Sequence, residues 1–152
     1  MTGLPDGYYA VLDPADPQTM TYWRARAGEL KAWPAGAWHG PARLLKKDAP
    51  ADRDERVAWM RDWQARYRAW LETLHAALAA DPAGARRTFV GFTVRCCLCG
   101  RALRDEKSKV LGVGPECRTG LDEHALAALL TPAIATAHAT HTHAQLPTED
   151  EA

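Results

Sequence analysis

At 152 residues the chain has room for one ordinary domain or two small units. Lys and Arg number 19, as do Asp and Glu, and this balance excludes recruitment of a partner by net charge alone. No apolar run approaches the roughly 20 residues a bilayer crossing needs, and Met1-Thr2-Gly3-Leu4-Pro5-Asp6 lacks the regions of a secretory signal. No membrane partner and a reducing, cytoplasmic location are therefore expected.

In chain order, residues 7–12 (Gly-Tyr-Tyr-Ala-Val-Leu) suit a short strand, and Asp13-Pro14 to Pro17 supplies a turn. Residues 21–33 read as two strands joined at Gly28-Glu29. On such a strand Tyr22, Arg24 and Arg26 share one face, and Trp23, Ala25 and Ala27 the other. An amphipathic hairpin with Trp23 buried explains this pattern. The alternative is that Tyr22 stacks on bases while the Arg pair holds phosphates. Pro34, Gly36, Gly40 and Pro41 mark a loop, and Arg43-Leu44-Leu45 offers one more strand. The segment 1–50 is thus expected to be a small antiparallel meander.

From about Asp52 to Ala80, apolar residues recur at Val57, Met60, Trp63, Tyr67, Trp70/Leu71, Leu74 and Leu78, close to the helical period. The segment 51–82 is predicted to be one long amphipathic helix packing on the meander, begun by Asp52, Asp54 and Glu55 and stopped by Asp81-Pro82. Trp59, Trp63 and Trp70 widen its apolar sector, which is read as core packing. A protein partner on this Trp-rich helix is the alternative.

Residues 86–94 fit a short helix or an extended lead. They open a unit over 83–131 that contains all four cysteines, between Cys96 and Cys117. Such clustering in a reducing compartment points to a metal rather than disulfides. In Cys96-Cys97-Leu98-Cys99-Gly100, Cys96 and Cys99 form a C-x-x-C pair, with Gly100 where a tight loop needs positive φ. A two-stranded hairpin over Arg101–Leu111, turning at Asp105-Glu106, is predicted to follow. Ser108 would donate to a cysteine sulfur or cap the hairpin. Gly112 and Gly114 then reverse the chain, Pro115 suits a first helical position, and Cys117 falls on the first turn of a helix over Pro115–Leu130.

Three thiolates need a fourth ligand. His124, two helical turns past Cys117, is the local candidate. His39 and His75 remain alternatives, and water or a carboxylate would leave the site open. Cys97 is read as a packed, non-ligating thiol. The expected cofactor is a structural Zn²⁺ held by Cys96, Cys99, Cys117 and His124. The tail 132–152 is expected to be disordered, with His138, His141 and His143 forming no preformed site.

The ordered pattern Cys96-x-x-Cys99-Gly100-Arg101-x-Leu103-x-Asp105-x-x-Ser108, then Gly112-x-Gly114-Pro115-x-Cys117, resembles domain-of-unknown-function family 6011. This small zinc-finger-like domain recurs in actinobacterial and phage proteins. The resemblance covers about residues 80–125, with Asp81-Pro82 and Phe89 similar to the family's lead-in. It implies zinc binding and no known activity, and it says nothing of residues 1–80.

The fold class read from the sequence is α+β, with a meander, a long helix and a treble-clef-like knuckle–hairpin–helix unit. From Arg86 to Arg118, eight Arg or Lys oppose three acids, a local excess of five positive charges. The leading expectation is a nucleic-acid-associated accessory protein, contacting DNA or RNA through Arg95, Arg101, Arg104, Lys107 and Lys109. A protein–protein adapter is the alternative. No Gly-rich phosphate loop, nucleophile elbow or paired catalytic carboxylates occur, so an enzyme ranks third.

Overall fold

A computed structural model describes residues 3–122 and 124–126. Strands β1 (Gly7–Asp13), β2 (Asp16–Arg26) and β3 (Glu29–Ala32) form an antiparallel sheet in the order β1-β2-β3. They are followed by helices α1 (Arg53–Ala80), α2 (Pro82–Thr93), α3 (Glu106–Leu111) and α4 (Pro115–Arg118). The mixed α+β class and the N-terminal meander match the sequence reading. No described helix is long and apolar enough to cross a membrane.

Period-two patterning builds the sheet. On β2, Thr21, Trp23 and Ala25 are buried, while Tyr22 is half-buried and Arg24 and Arg26 are exposed. The first hairpin closes where Ala15 N–H donates to the Asp13 carboxylate and Gln18 N–H to that of Asp16. The second turns at Ala27-Gly28, one residue earlier than expected, and both residues have positive φ (51° and 79°). That pair of angles suits the tight turn whose twist matches paired strands. Arg43–Leu45 is not a strand. This stretch is irregular and ends in a 3-10 turn at Lys46–Asp48. Trp63 Nε1 on α1 holds it by donating to the Ala42 carbonyl.

Asp52 caps α1, its carboxylate accepting from the N–H groups of Asp54 and Glu55. At 1.5 Å per residue the helix is about 42 Å long, more than this small sheet covers. Only Trp70, Leu74 and Leu78 in its C-terminal part are buried, whereas Val57 and Met60 stay exposed. Asp81 ends α1 and caps α2 through the Gly84 N–H, with Pro82 in the first turn. Residues 86–94, open between helix and strand in the sequence, therefore lie mostly in α2.

The sheet separates two apolar clusters. On one face Tyr9, Trp23 and Ala25 meet Trp70, Leu74 and Leu78 of α1. On the other, Tyr8 and Ala10 meet Phe89, Val90, Val94, Cys96, Cys97, Leu103 and Val113. The cysteine unit thus packs across the sheet from α1. Its backbone also covers the free edge of β1, where Tyr8 N–H donates to the Cys97 carbonyl at 2.7 Å. A covered edge is closed to pairing with another chain.

Two expectations for the cysteine unit are corrected. Arg101–Leu111 is not a hairpin. A single antiparallel bridge joins Arg95 to Ala102, and Glu106–Leu111 is helical. Asp105 caps that helix through the Ser108 N–H, and Gly112 (φ 70°) ends it, so start and stop signals flank a stretch with no strand alternation. The helix expected over Pro115–Leu130 is interrupted: α4 covers Pro115–Arg118, a turn follows, and 124–126 are helical again, while 123 and 127–130 lie outside the described residues. Residues 127–152, including the expected tail and His138, His141 and His143, lie outside the described residues.

Candidate metal centre

The knuckle begins with a forced exit from α2. Val94 adopts the left-handed conformation (φ 53°), costly for a β-branched residue. Its side chain is buried in the core, which holds it there. Hydrogen bonds then close the loop: Cys96 N–H to Arg101 O, Gly100 N–H to Cys96 O, and Leu103 N–H to Val94 O. Gly100 is required twice over. Its φ is 77°, and a Cβ there would lie 2.6 Å from Cζ of Tyr8.

Downstream, Cys97 N–H donates to Gly112 O, tying the knuckle to the end of α3. Gly114 caps α4 and Pro115 occupies its first turn, presenting Cys117. Arg118 pins this turn, donating from Nη1 to Ser108 Oγ and to the Val113 carbonyl. Ser108 is fully buried and accepts from Arg118. This Arg118–Ser108 brace escaped the sequence reading, because residue type and spacing do not announce which distant donor a serine meets.

The outcome is a three-sulfur cluster. Ligand atoms of Cys96, Cys99 and Cys117 all lie within 4.8 Å of one another. A Zn–S bond of about 2.3 Å in a tetrahedron places sulfurs roughly 3.8 Å apart, so the cluster suits one metal ion. The local polarity agrees. Burial opposes ionisation of Cys96, but N–H groups of Gly114, Cys99 and Leu98 outweigh it and hold its thiol below the ordinary value. Cys117 is pushed up to about 12, by burial first and then by the neighbouring Cys99 and Cys96 sulfurs. Thiolates gathered at one apex repel one another until a divalent cation compensates their charge. The three cysteines can therefore hold a metal ion.

Cys97 points elsewhere. It is fully buried in the α2-side cluster, and burial drives its thiol to about 12 despite the nearby Arg86 cation. Among the described residues no histidine or carboxylate joins the three sulfurs. His124 is exposed. His39 lies on the α1 side of the sheet, accepting from Tyr22 N–H and packing beside Trp23, and His75 shares that groove.

The expected basic surface is dispersed. Arg101 is exposed and ion-paired with Glu116 at 2.9 Å, while Arg104 and Lys107 are exposed and Lys109 is half-buried. Arg95 is drawn inward, donating to Gly100 O and lying 5.6 Å over the Trp33 ring. Arg86, counted in the charge excess, is buried and donates to Asp6 O and Tyr9 Oη.

The cysteine spacing, both glycine turns and the Pro115 start fall inside one stretch of recognisable sequence. Residues 86–122 match the model of the Family of unknown function (DUF6011). The DUF6011 match takes in all three clustered cysteines and about a quarter of the chain, leaving the sheet and α1 outside it. No curated protein and no solved structure matches the chain.

Proposed function

We propose that this chain is a small zinc-binding protein whose metal is structural, holding the cysteine unit on the sheet, and that it serves as a cytoplasmic nucleic-acid-associated accessory protein. The convergence of three cysteine sulfurs beneath backbone N–H groups carries the metal reading. A sulfur-rich set gathered within 4.8 Å favours zinc over hard cations. All four cysteines are free thiols, as a reducing compartment requires. Among the described residues lining the cluster there is no histidine to act as a base, which favours a structural over a catalytic metal.

The test is metal analysis of reduced protein followed by cobalt substitution. One metal per chain, lost in Cys99→Ser, is expected. The cobalt spectrum also identifies the fourth ligand: a nitrogen signature lost in His124→Ala assigns it to His124, whereas exchangeable water opens the site. Metal-free protein with an unchanged fold would sink the zinc reading. The second reading is a protein adapter, favoured by exposed Val57 and Met60 on the Trp-rich helix and Leu45 in the loop before it. One stoichiometric protein partner retained after nuclease treatment would put it first.

A further inference from the structure

The side of the sheet that carries the knuckle holds cations whose positions the fold does not explain. Register places Tyr8, Arg24 and Lys31 in one row across β1, β2 and β3. Like charges directly opposite each other on neighbouring strands destabilise a sheet, yet Arg24 faces Lys31 and both are exposed. Arg24 lies 5.7 Å over the Tyr8 ring. In the next row Trp33 N–H donates to Tyr22 O, and both rings are half-buried.

The knuckle supplies the other wall. Arg95 lies over Trp33 and donates to Gly100 O, and Gly100 sits against the ring of Tyr8. Tyr8 and Trp33 make an edge-to-face pair at 6.2 Å. Two guanidinium groups, one from the sheet and one from the knuckle, thus flank one aromatic pair. Among the described residues neither Arg24 nor Arg95 has an ion pair, and Arg95 Nε is buried without a hydrogen-bond partner. Among the described residues Lys31 pairs with Glu29, through a highly exposed contact that is readily exchanged for a stronger anion.

The geometry points to the sheet–knuckle seam as a binding surface for single-stranded nucleic acid, with Arg24 and Lys31 on phosphates, Arg95 bracing Trp33 beside them, and the half-buried edges of Trp33 and Tyr22 against bases. Alternation of cations with aromatic rings is the chemistry that single strands engage, since every base offers a π-face and every linkage a charge. A regular duplex keeps its base faces stacked and offers these rings only its phosphates. This inference rests on the nucleic-acid reading above. It moves the contact from the outer rim of the cysteine unit to a seam that exists only where that unit meets the sheet.

The test is anisotropy of a labelled single strand of about 12 nucleotides, titrated with full-length protein of measured zinc content at several salt concentrations. Saturable binding should weaken as salt rises, with Arg24→Gln/Lys31→Gln weakening it about tenfold and reducing the log–log salt slope by about 1.4, or 0.7 per lost phosphate contact. Arg104→Gln/Lys107→Gln on the outer rim should leave it within about twofold. No binding at low salt by zinc-loaded protein would overturn the seam while leaving the metal reading intact. Equal affinity for a duplex of the same length, loss of binding in the rim variant instead, or displacement of the strand by polyglutamate at matched charge would each overturn it too. Zinc-free protein that still binds, and still responds to Arg24→Gln/Lys31→Gln, would uphold the seam and remove the metal from the account.

Discussion

Gly100 carries two demands that are separable by mutation. Any side chain there is strained by φ 77°, and its Cβ would also collide with Tyr8, which stacks 5.3 Å from Phe89 within the α2-side core. Gly36 shares a positive φ (85°), but no atom lies within 4 Å of its would-be Cβ. Gly36→Ala should therefore cost only the backbone term, about 1 kcal/mol. Gly100→Ala should cost about 2–4 kcal/mol, because the ring must move as well. Urea denaturation of the two zinc-loaded variants measures the difference. Equal costs would mean that Tyr8 yields freely and does not brace the knuckle.

Among the elements, the second hairpin keeps a removable strain. Ala27 is exposed at φ 51° and its N–H is held by Asp6 Oδ1. Ala27→Asn leaves that bond in place and puts a residue tolerant of the left-handed region before Gly28, so stability should rise by about 0.5–1 kcal/mol. Thermal melts of the two proteins would show it, and an unchanged or lower midpoint would contradict the strain. Legibility followed the same local logic. Strands β1 and β2 and helix α1 were readable because alternation, period and the Asp52 cap are all local signals. The six residues of α3 are too few to reveal a period, so only Asp105 and Gly112 mark them, and from sequence alone the turn chemistry at Asp105-Glu106 reads equally as a hairpin. The three clustered cysteines were readable because knuckle and helix start are local too. Arg118 bracing Ser108, and Tyr8 beneath Gly100, depend on partners brought together only by the tertiary fold.

Across the whole molecule, β1 links the cysteine cluster to everything else. Tyr8 and Ala10 belong to the cluster that includes Cys96 and Cys97, and Tyr9, between them, belongs to the cluster on α1. If the cluster holds the proposed metal, its removal should free Cys99 and Cys117 from the apex and loosen the loop that covers the β1 edge through Tyr8 N–H. Both faces of the sheet should feel that loss, so unfolding should remain one transition. Metal at about 1,000 times its dissociation constant adds roughly 4 kcal/mol by mass action. At about 2–4 °C per kcal/mol for a chain of this size, chelation should then lower the midpoint by about 10 °C. Calorimetry with and without chelator, under reducing conditions, reads both quantities. If the chelated protein melts in two steps, with the tryptophan-rich α1 face unfolding at its original temperature, β1 does not couple the halves. The cysteine unit would then be an independent module resting on the sheet.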